Sequence, residues 1–270
     1  MILQAHVNTG HGGEIKTFKK LQERYCNISR KICKVFISFC KNCHESKSKH
    51  IRKGVVVKPI LSKEYNSRGQ VDLVDFQSQP YKTNNGITYK WMLQYQDHLT
   101  KFVHLKPLQS KRAAKVAFSL HEIFMVFGCP SILQSDNGRE FVAQVIKELK
   151  GLWPDFVIVH GKPRHPQSQG SVERSNQDIK IMICNWLKDN STLNWPFALK
   201  FVAHMKNNSF HSGIGRAPYE AVFGTKQKVG LLTSSLPTEI LKTLETEEDL
   251  QSALNSSPNN DEESRKLTRC

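Results

Sequence analysis

The 270-residue sequence predicts a mixed α/β domain preceded by a small helical module. Three observations predict it. Apolar residues near the amino terminus recur at three- and four-residue steps. From Gln70 onward, stretches of period two alternate with stretches of helical period. After Gly224 the large apolar residues thin out. Hydrophobic residues make up 39% of the chain and charged residues 23%, enough apolar surface for one sizeable core and one small one.

In the first stretch, Ile15, Phe18, Leu21 and Tyr25 follow Gly12-Gly13, and Ile32, Val35, Phe36 and Phe39 repeat the pattern. Two or three short helices are predicted over residues 1–50. The charged, Ser-bearing KNCHESKSKH closes them, and residues 51–69 read as an extended linker with a short strand. QVDLVDF, YKWMLQYQDHL and KFVHLKPL read as three successive strands, the last two joined by a tight turn near Asp97–Thr100. KRAAKVAFSLHEIFMVFG is an amphipathic helix stopped by Gly128 and Pro130. SILQSDNG is a strand running into a turn, EFVAQVIKELKGLW a helix, and DFVIVHGK a strand before the loop PRHPQSQG. SVERSNQDIKIMICNWLKD then gives a long helix, opening after Gly170, and WPFALKFVAHMKNNSF a further one. The core domain therefore spans residues 70–224. Residues 225–270 are acidic and rich in Ser and Asn, and are expected to be disordered.

Charge is unevenly distributed. Residues 1–70 hold 15 Lys/Arg against 4 Asp/Glu, residues 71–224 hold 18 against 12, and residues 225–270 hold 6 against 8. A basic front and middle suit a polyanion such as DNA, although solubility or nuclear import would also account for them. No apolar run is long enough to span a membrane, and the amino terminus has no basic-then-apolar leader pattern. An intracellular, nuclear setting without membrane contact is expected.

Four of the seven cysteines, Cys26, Cys33, Cys40 and Cys43, crowd into residues 26–43, which reads as metal binding or core packing in an intracellular chain. His6, His11, Cys40 and Cys43 fit H-x4-H-x28-C-x2-C. Two imidazoles and two thiolates satisfy tetrahedral Zn²⁺, and the C-x2-C step lets one turn supply two sulfurs. Surface histidines beside a chance C-x2-C are the competing reading. Cys26 and Cys33, seven residues apart, are expected on one helix face in the core, and His44 is a poorer ligand candidate than His11.

Among the acids, Asp72 lies in an alternating strand, and Asp75, three residues on, faces the other side of a regular strand. Asp97 reads as a turn aspartate. Asp136 ends a strand at SDNG, where an α/β fold presents side chains to substrate, and Glu173 lies in the first turn of the long helix. Helix capping is the alternative role for both. Asn176, Gln177, Lys180 and Asn185 recur near helical spacing from Glu173 and are expected to line the same face.

GQVDLVDF, QSDNGREF and HPQSQGSVERSN, downstream of the His-His-Cys-Cys set, closely resemble phrases of the integrases of retroviruses and Ty3/gypsy-type retrotransposons. The resemblance covers residues 6 to about 224 and extends to GHGGEIKTFKKL and HSGIGRAPYEAVFG. It implies a ribonuclease-H-like core with a mixed five-stranded sheet and flanking helices, behind a zinc module at residues 1–50. It implies that Asp72, Asp136 and Glu173 form a catalytic triad holding two Mg²⁺ or Mn²⁺ ions for 3′-end processing and strand transfer on DNA. Thirty-six residues separate Asp136 from Glu173, one more than in many such integrases, a difference a loop absorbs. Lys180 matches a position that contacts donor-DNA phosphate, and His165, Gln167 and Gln169 fall in a loop that grips DNA ends. A homo-oligomer on DNA, a dimer or tetramer, is also implied. No basic module is read after the core, so a captured, catalytically silent DNA-binding protein is the alternative.

Overall fold

The computed structural model describes residues 1–45, 64–135, 144–145, 147–149, 151, 153, 157–160, 166–228, 240 and 243–255, with the side chains of 157–160, 166–174 and 254 excepted. It divides into two units, Met1–Thr225 and Lys226–Cys270.

Four short helices open the first unit: α1 (Ile2–Asn8), α2 (Glu14–Gln22), α3 (Arg30–Ser38) and α4 (Lys41–Glu45). This is one or two more than the apolar period predicts, because α1 and α4 are too short to show a period. Ser29 caps α3 by accepting from the Ile32 amide at 3.3 Å. Their common core is small: Ala5, Leu21 and Cys33 are buried, with Ile2, Phe18 and Ile28 against them. Cys33 is a core residue as expected. Cys26 is not on a helix but in an exposed bend between α2 and α3, where Asn27 adopts a left-handed backbone that ends the helical run.

The core begins with β1 (Arg68–Asp75), followed by a hairpin of β2 (Tyr81–Lys82) and β3 (Thr88–Tyr89), then β4 (Trp91–Asp97) and β5 (Val103–Leu108). The hairpin was not predicted: its strands are too short to show alternation, though Asn84-Asn85-Gly86, with Gly86 at φ +78°, is a turn signal. Helix α5 (Ala113–Phe127) ends at Gly128, whose φ of +85° no side chain readily adopts. Strands β6 (Ile132–Ser135) and β7 (Val157–His160) follow, then α6 (Pro166–Asp189), α7 (Trp195–Asn208) and α8 (Pro218–Phe223). The helix expected over 140–153 is only partly described; Val145 and Leu149 within it are buried.

The sheet order is β5-β4-β1-β6-β7. β1 runs antiparallel to β4, with Asp72 opposite Gln94, and parallel to β6, with Val71 opposite Ser135. The expected mixed five-stranded sheet with flanking helices is what forms. Alternation sorts its two faces. Val71, Leu93, Tyr95 and Leu133 pack on Val116, Leu120 and Phe124 of α5. Val74, Met92 and Leu105 pack on Ile179 and Ile183 of α6 and Leu199 and Val202 of α7. Each fully buried side chain contributes about 1.5–3 kcal/mol. Tyr95 packs against Gly69, where an added Cβ would stand 2.5 Å from its ring, so only glycine fits there.

Two expectations need correction. Helix α6 starts at Pro166 rather than after Gly170, since proline at the first helical position is pre-set for the helix and loses no hydrogen bond. The second unit holds a nine-residue helix, α9 (Glu247–Asn255), within the tail expected to be unstructured. Its start is a reciprocal cap: the Asp249 amide donates to Thr246 Oγ1 at 3.1 Å and the Thr246 amide to Asp249 Oδ2 at 3.0 Å.

Candidate metal centre and carboxylate site

α1 carries His6, the turn after it carries His11, and Cys40 and Cys43 flank the start of α4. One ligand atom from each of these four residues lies within 4.8 Å of all the others. His6 Nε2 is 3.2 Å from Cys43 Sγ, and His11 Nδ1 is 3.4 Å from Cys40 Sγ and 3.8 Å from Cys43 Sγ. Tetrahedral zinc with Zn–S near 2.3 Å and Zn–N near 2.0–2.1 Å sets ligand-to-ligand edges of roughly 3.3–3.8 Å. The donor set and the spacing therefore fit Zn²⁺. Burial, and then neighbouring His11, push the His6 imidazole down to about 4, so at neutral pH it is uncharged and able to ligate. Its other nitrogen, Nδ1, is 3.1 Å from the Gly12 carbonyl and 3.3 Å from Thr17 Oγ1, which fixes the ring. His44 lies on α4, outside this group.

In the core, Asp72 sits mid-strand on β1, on the face covered by α6. Its Oδ1 accepts from the Leu73 amide at 2.8 Å, and its Oδ2 accepts a short hydrogen bond from Asn176 Nδ2. Asn176 Oδ1 is buried and has no hydrogen-bond partner among the described residues, an acceptor left beside the carboxylate for a cation or water. Glu173 lies three residues before Asn176 on the same helix, one turn away along α6; nothing further is described of its side chain. Asp136 lies outside the described residues. The residue before it, Ser135, pairs with Val71, the residue before Asp72.

The remaining predicted residues divide. His165 lies outside the described residues. Gln167 and Gln169 are on the first turn of α6 rather than in a loop. Gln177 and Lys180 are exposed, whereas Asn185 is buried at 1% exposure and, nine helical steps from Asn176, stands half a revolution round α6 from the side that meets Asp72. Asp75 is exposed and accepts from the Gln77 amide at 2.7 Å, away from Asp72. Asp97 is buried and structural, accepting from the Thr100 amide at 2.7 Å, Thr100 Oγ1 at 2.6 Å and the Asn66 amide at 3.1 Å.

Sequence reasoning missed a polar layer beneath Asp72. Gln70 stands opposite both Gln96 and Gln134 in the sheet, and Gln94 opposite Asp72. All four glutamines are buried. Gln70 Nε2 donates to Gln134 Oε1 at 3.3 Å, and Gln94 Nε2 donates to Ser175 Oγ at 3.0 Å. Ser175 precedes Asn176, so Gln94 ties α6 to the strand beside Asp72. Each glutamine reads as an ordinary strand residue until the register aligns them.

No protein-family model matches the chain. It is 41% identical to human KRAB-A domain-containing protein 2 over 248 residues, covering 92% of this chain and 49% of that protein. It is 28% identical over 229 residues to the Pro-Pol polyprotein of simian foamy virus type 3 (strain LK3), covering 83% of this chain and 19% of the polyprotein. The chain thus spans about half the length of the first relative and a fifth of the second. A chain of the simian T-cell lymphotropic virus intasome in complex with PP2A regulatory subunit B56 gamma superposes with a TM-score of 0.57 at 18% identity, over 84% of this chain and 74% of that one. The chain belongs to the family of KRAB-A domain-containing protein 2, is similar to retroviral Pol polyproteins, and shares its fold with a chain of a retroviral intasome.

Proposed function

We propose that the chain is a polynucleotidyl transferase acting on DNA, with Asp72, Asp136 and Glu173 as its catalytic carboxylates. The observation that carries this reading is the Asp72–Asn176 contact. It joins the first carboxylate to α6 one turn from Glu173, while the strand leading to Asp136 pairs directly beside Asp72. Carboxylate oxygens and the free Asn176 Oδ1 are hard donors, suited to Mg²⁺ or Mn²⁺. Held by these residues, two such ions would supply activation of water or of a DNA 3′-hydroxyl and stabilisation of the leaving oxygen.

The chain's own residues supply positioning. Asn176 and the Leu73 amide fix the Asp72 carboxylate, and Gln94 holds Ser175 so that α6 keeps its register over β1. Lys180, exposed one turn after Asn176, offers a cation to phosphate, and the basic excess of residues 1–224 supports a DNA partner. His165, Gln167 and Gln169 are proposed to contact DNA ends. His6, His11, Cys40 and Cys43 hold a structural zinc ion that orders a module with almost no apolar core. A homo-oligomer on DNA in the nucleus completes the reading. Among the described residues no helix is long and apolar enough to cross a membrane.

The test is cleavage and strand transfer on short duplex DNA with Mg²⁺ or Mn²⁺. Activity that requires either ion supports the reading. Inactivity with both ions on pre-processed ends, alongside salt-sensitive DNA binding, supports a second one: a captured, non-catalytic DNA-binding protein. The 41% identity to KRAB-A domain-containing protein 2 is the comparison that suggests a captured form.

A further inference from the structure

The carboxylate at the end of α6 is out of place for its own helix. Asp189 is the last residue of α6, where the carbonyl ends of the helix dipole are negative and an acidic side chain is unfavourable by about 0.3–1 kcal/mol. Both of its oxygens are taken up by the amino-terminal module. Oδ2 is 2.8 Å from His11 Nε2, and Oδ1 accepts from Asn42 Nδ2 at 2.6 Å. His11 is one of the four converging donors, and Asn42 stands between the other end's Cys40 and Cys43. The His11 side chain is only 4% exposed although the contact spans 178 positions of sequence.

The tautomer follows from the geometry. His11 turns Nδ1 to the two sulfurs, at 3.4 and 3.8 Å, so Nδ1 is its donor to a metal. A neutral imidazole that ligates through Nδ1 carries its proton on Nε2, which faces Asp189. The chain is bent to achieve this. Gly10 at φ +63° and His11 at φ +57° are both left-handed, an unusual conformation for a histidine and one tolerated where surrounding contacts fix it. Gly10 also lies so close to Met182 of α6 that a Cβ there would collide with it.

We propose that Asp189 is the outer carboxylate of the zinc centre, so that metal binding and docking of the amino-terminal module on α6 are one coupled event. The proposal rests on the zinc reading of His6, His11, Cys40 and Cys43. Carboxylates that accept from a metal-bound histidine orient it and raise its basicity; here that carboxylate belongs to the core, not to the module. The ion therefore joins two parts of the chain, although its four ligands come from only one. Helix α6 also carries Glu173 and Asn176, so the state of the metal sets the anchorage of the helix that faces Asp72.

The full-length chain is measured for zinc content and for zinc affinity by chelator competition, as wild type and as Asp189→Ala, Asp189→Asn and Lys188→Ala. Asp189→Ala should bind zinc about 10- to 100-fold more weakly, and Asp189→Asn, which keeps an acceptor for Nε2–H, should lose less. Lys188→Ala removes the neighbouring exposed ion pair to Glu45, 2.6 Å, which crosses the same contact without touching a zinc ligand, and should weaken zinc binding far less than Asp189→Ala. Hydrogen exchange gives a second reading. Chelation should raise exchange in residues 182–189 of the wild type, whereas in Asp189→Ala these residues should exchange equally fast with and without zinc. Wild-type zinc affinity in Asp189→Ala, or an α6 end indifferent to zinc in the wild type, overturns the coupling alone. A wild type that takes up no zinc overturns the zinc reading beneath it.

Discussion

Asn176 donates to Asp72 across 104 positions of sequence, and so fixes helix α6 against the central strand at the carboxylate itself. Asn176→Ala should therefore leave the fold intact while weakening metal-dependent DNA cleavage about 10- to 100-fold, the usual cost of removing a group that orients a metal ligand. Titrating Mg²⁺ checks this, because the variant should need more metal for half-maximal rate. Wild-type metal dependence would show that Asn176 is merely a packing residue.

Asp72→Asn, Asp136→Asn and Glu173→Gln should each abolish nicking and strand transfer without unfolding the chain, since each removes an anionic oxygen from a two-ion site. DNA binding should hold or tighten slightly. Asp75→Asn is the internal control, because Asp75 is exposed and bonds to the Gln77 amide. Equal damage from Asp75→Asn and Asp72→Asn would refute the assignment of strand faces.

Asp97 should matter for stability and not for chemistry. Its buried carboxylate satisfies the Thr100 and Asn66 amides and the Thr100 hydroxyl. Asp97→Ala strands those donors and should cost roughly 2–4 kcal/mol, read from the urea midpoint. A loss below about 0.5 kcal/mol would mean that water replaces the carboxylate without penalty.

Acid should loosen the core through His104. Burial first, and then nearby Lys106, lower its pKa from 6.5 to about 4. The rings of Phe127, Phe102 and Tyr95 lie 4.5, 5.1 and 5.9 Å away. The folded-state value is below the unfolded one, so this contribution is full above pH 6.5 and is lost as pH falls toward 4, by at most about 3 kcal/mol. His104→Gln should flatten the fall in stability across that window, measured by urea unfolding at successive pH values. An unchanged slope would place the acid sensitivity elsewhere.

The sheet and its helices were legible because they are long and periodic: β1 and β4 alternate, and α5 ends at Gly128. The converging His6, His11, Cys40 and Cys43 were legible as a spacing. Register was not. Gln70, Gln94, Gln96 and Gln134 become one layer only when β4, β1 and β6 lie side by side, and no local pattern announces that. Asp189 was invisible for the same reason, since its partner is 178 positions away. The start of α6 is ambiguous in the sequence, because Gly170 marks a helix boundary as readily as Pro166 does. The α9 cap was written plainly in Thr246-Glu247-Glu248-Asp249, but the acidic composition around it outweighed the local signal.

The two edges of β1 also differ in how soon they can be closed. One edge meets β4, reached through a short hairpin; the other meets β6, whose Ile132 pairs with Arg68 from 64 positions on. Closing the longer loop costs more chain entropy, so the antiparallel meander should assemble first and the parallel half should be added to it. Leu93→Ala should then slow refolding, whereas Leu133→Ala, equally buried, should mainly quicken unfolding; stopped-flow kinetics showing the reverse would invert the order. On this route the strand leading to Asp136 joins Asp72 late, and a nascent chain carries its acids apart until the fold is nearly complete.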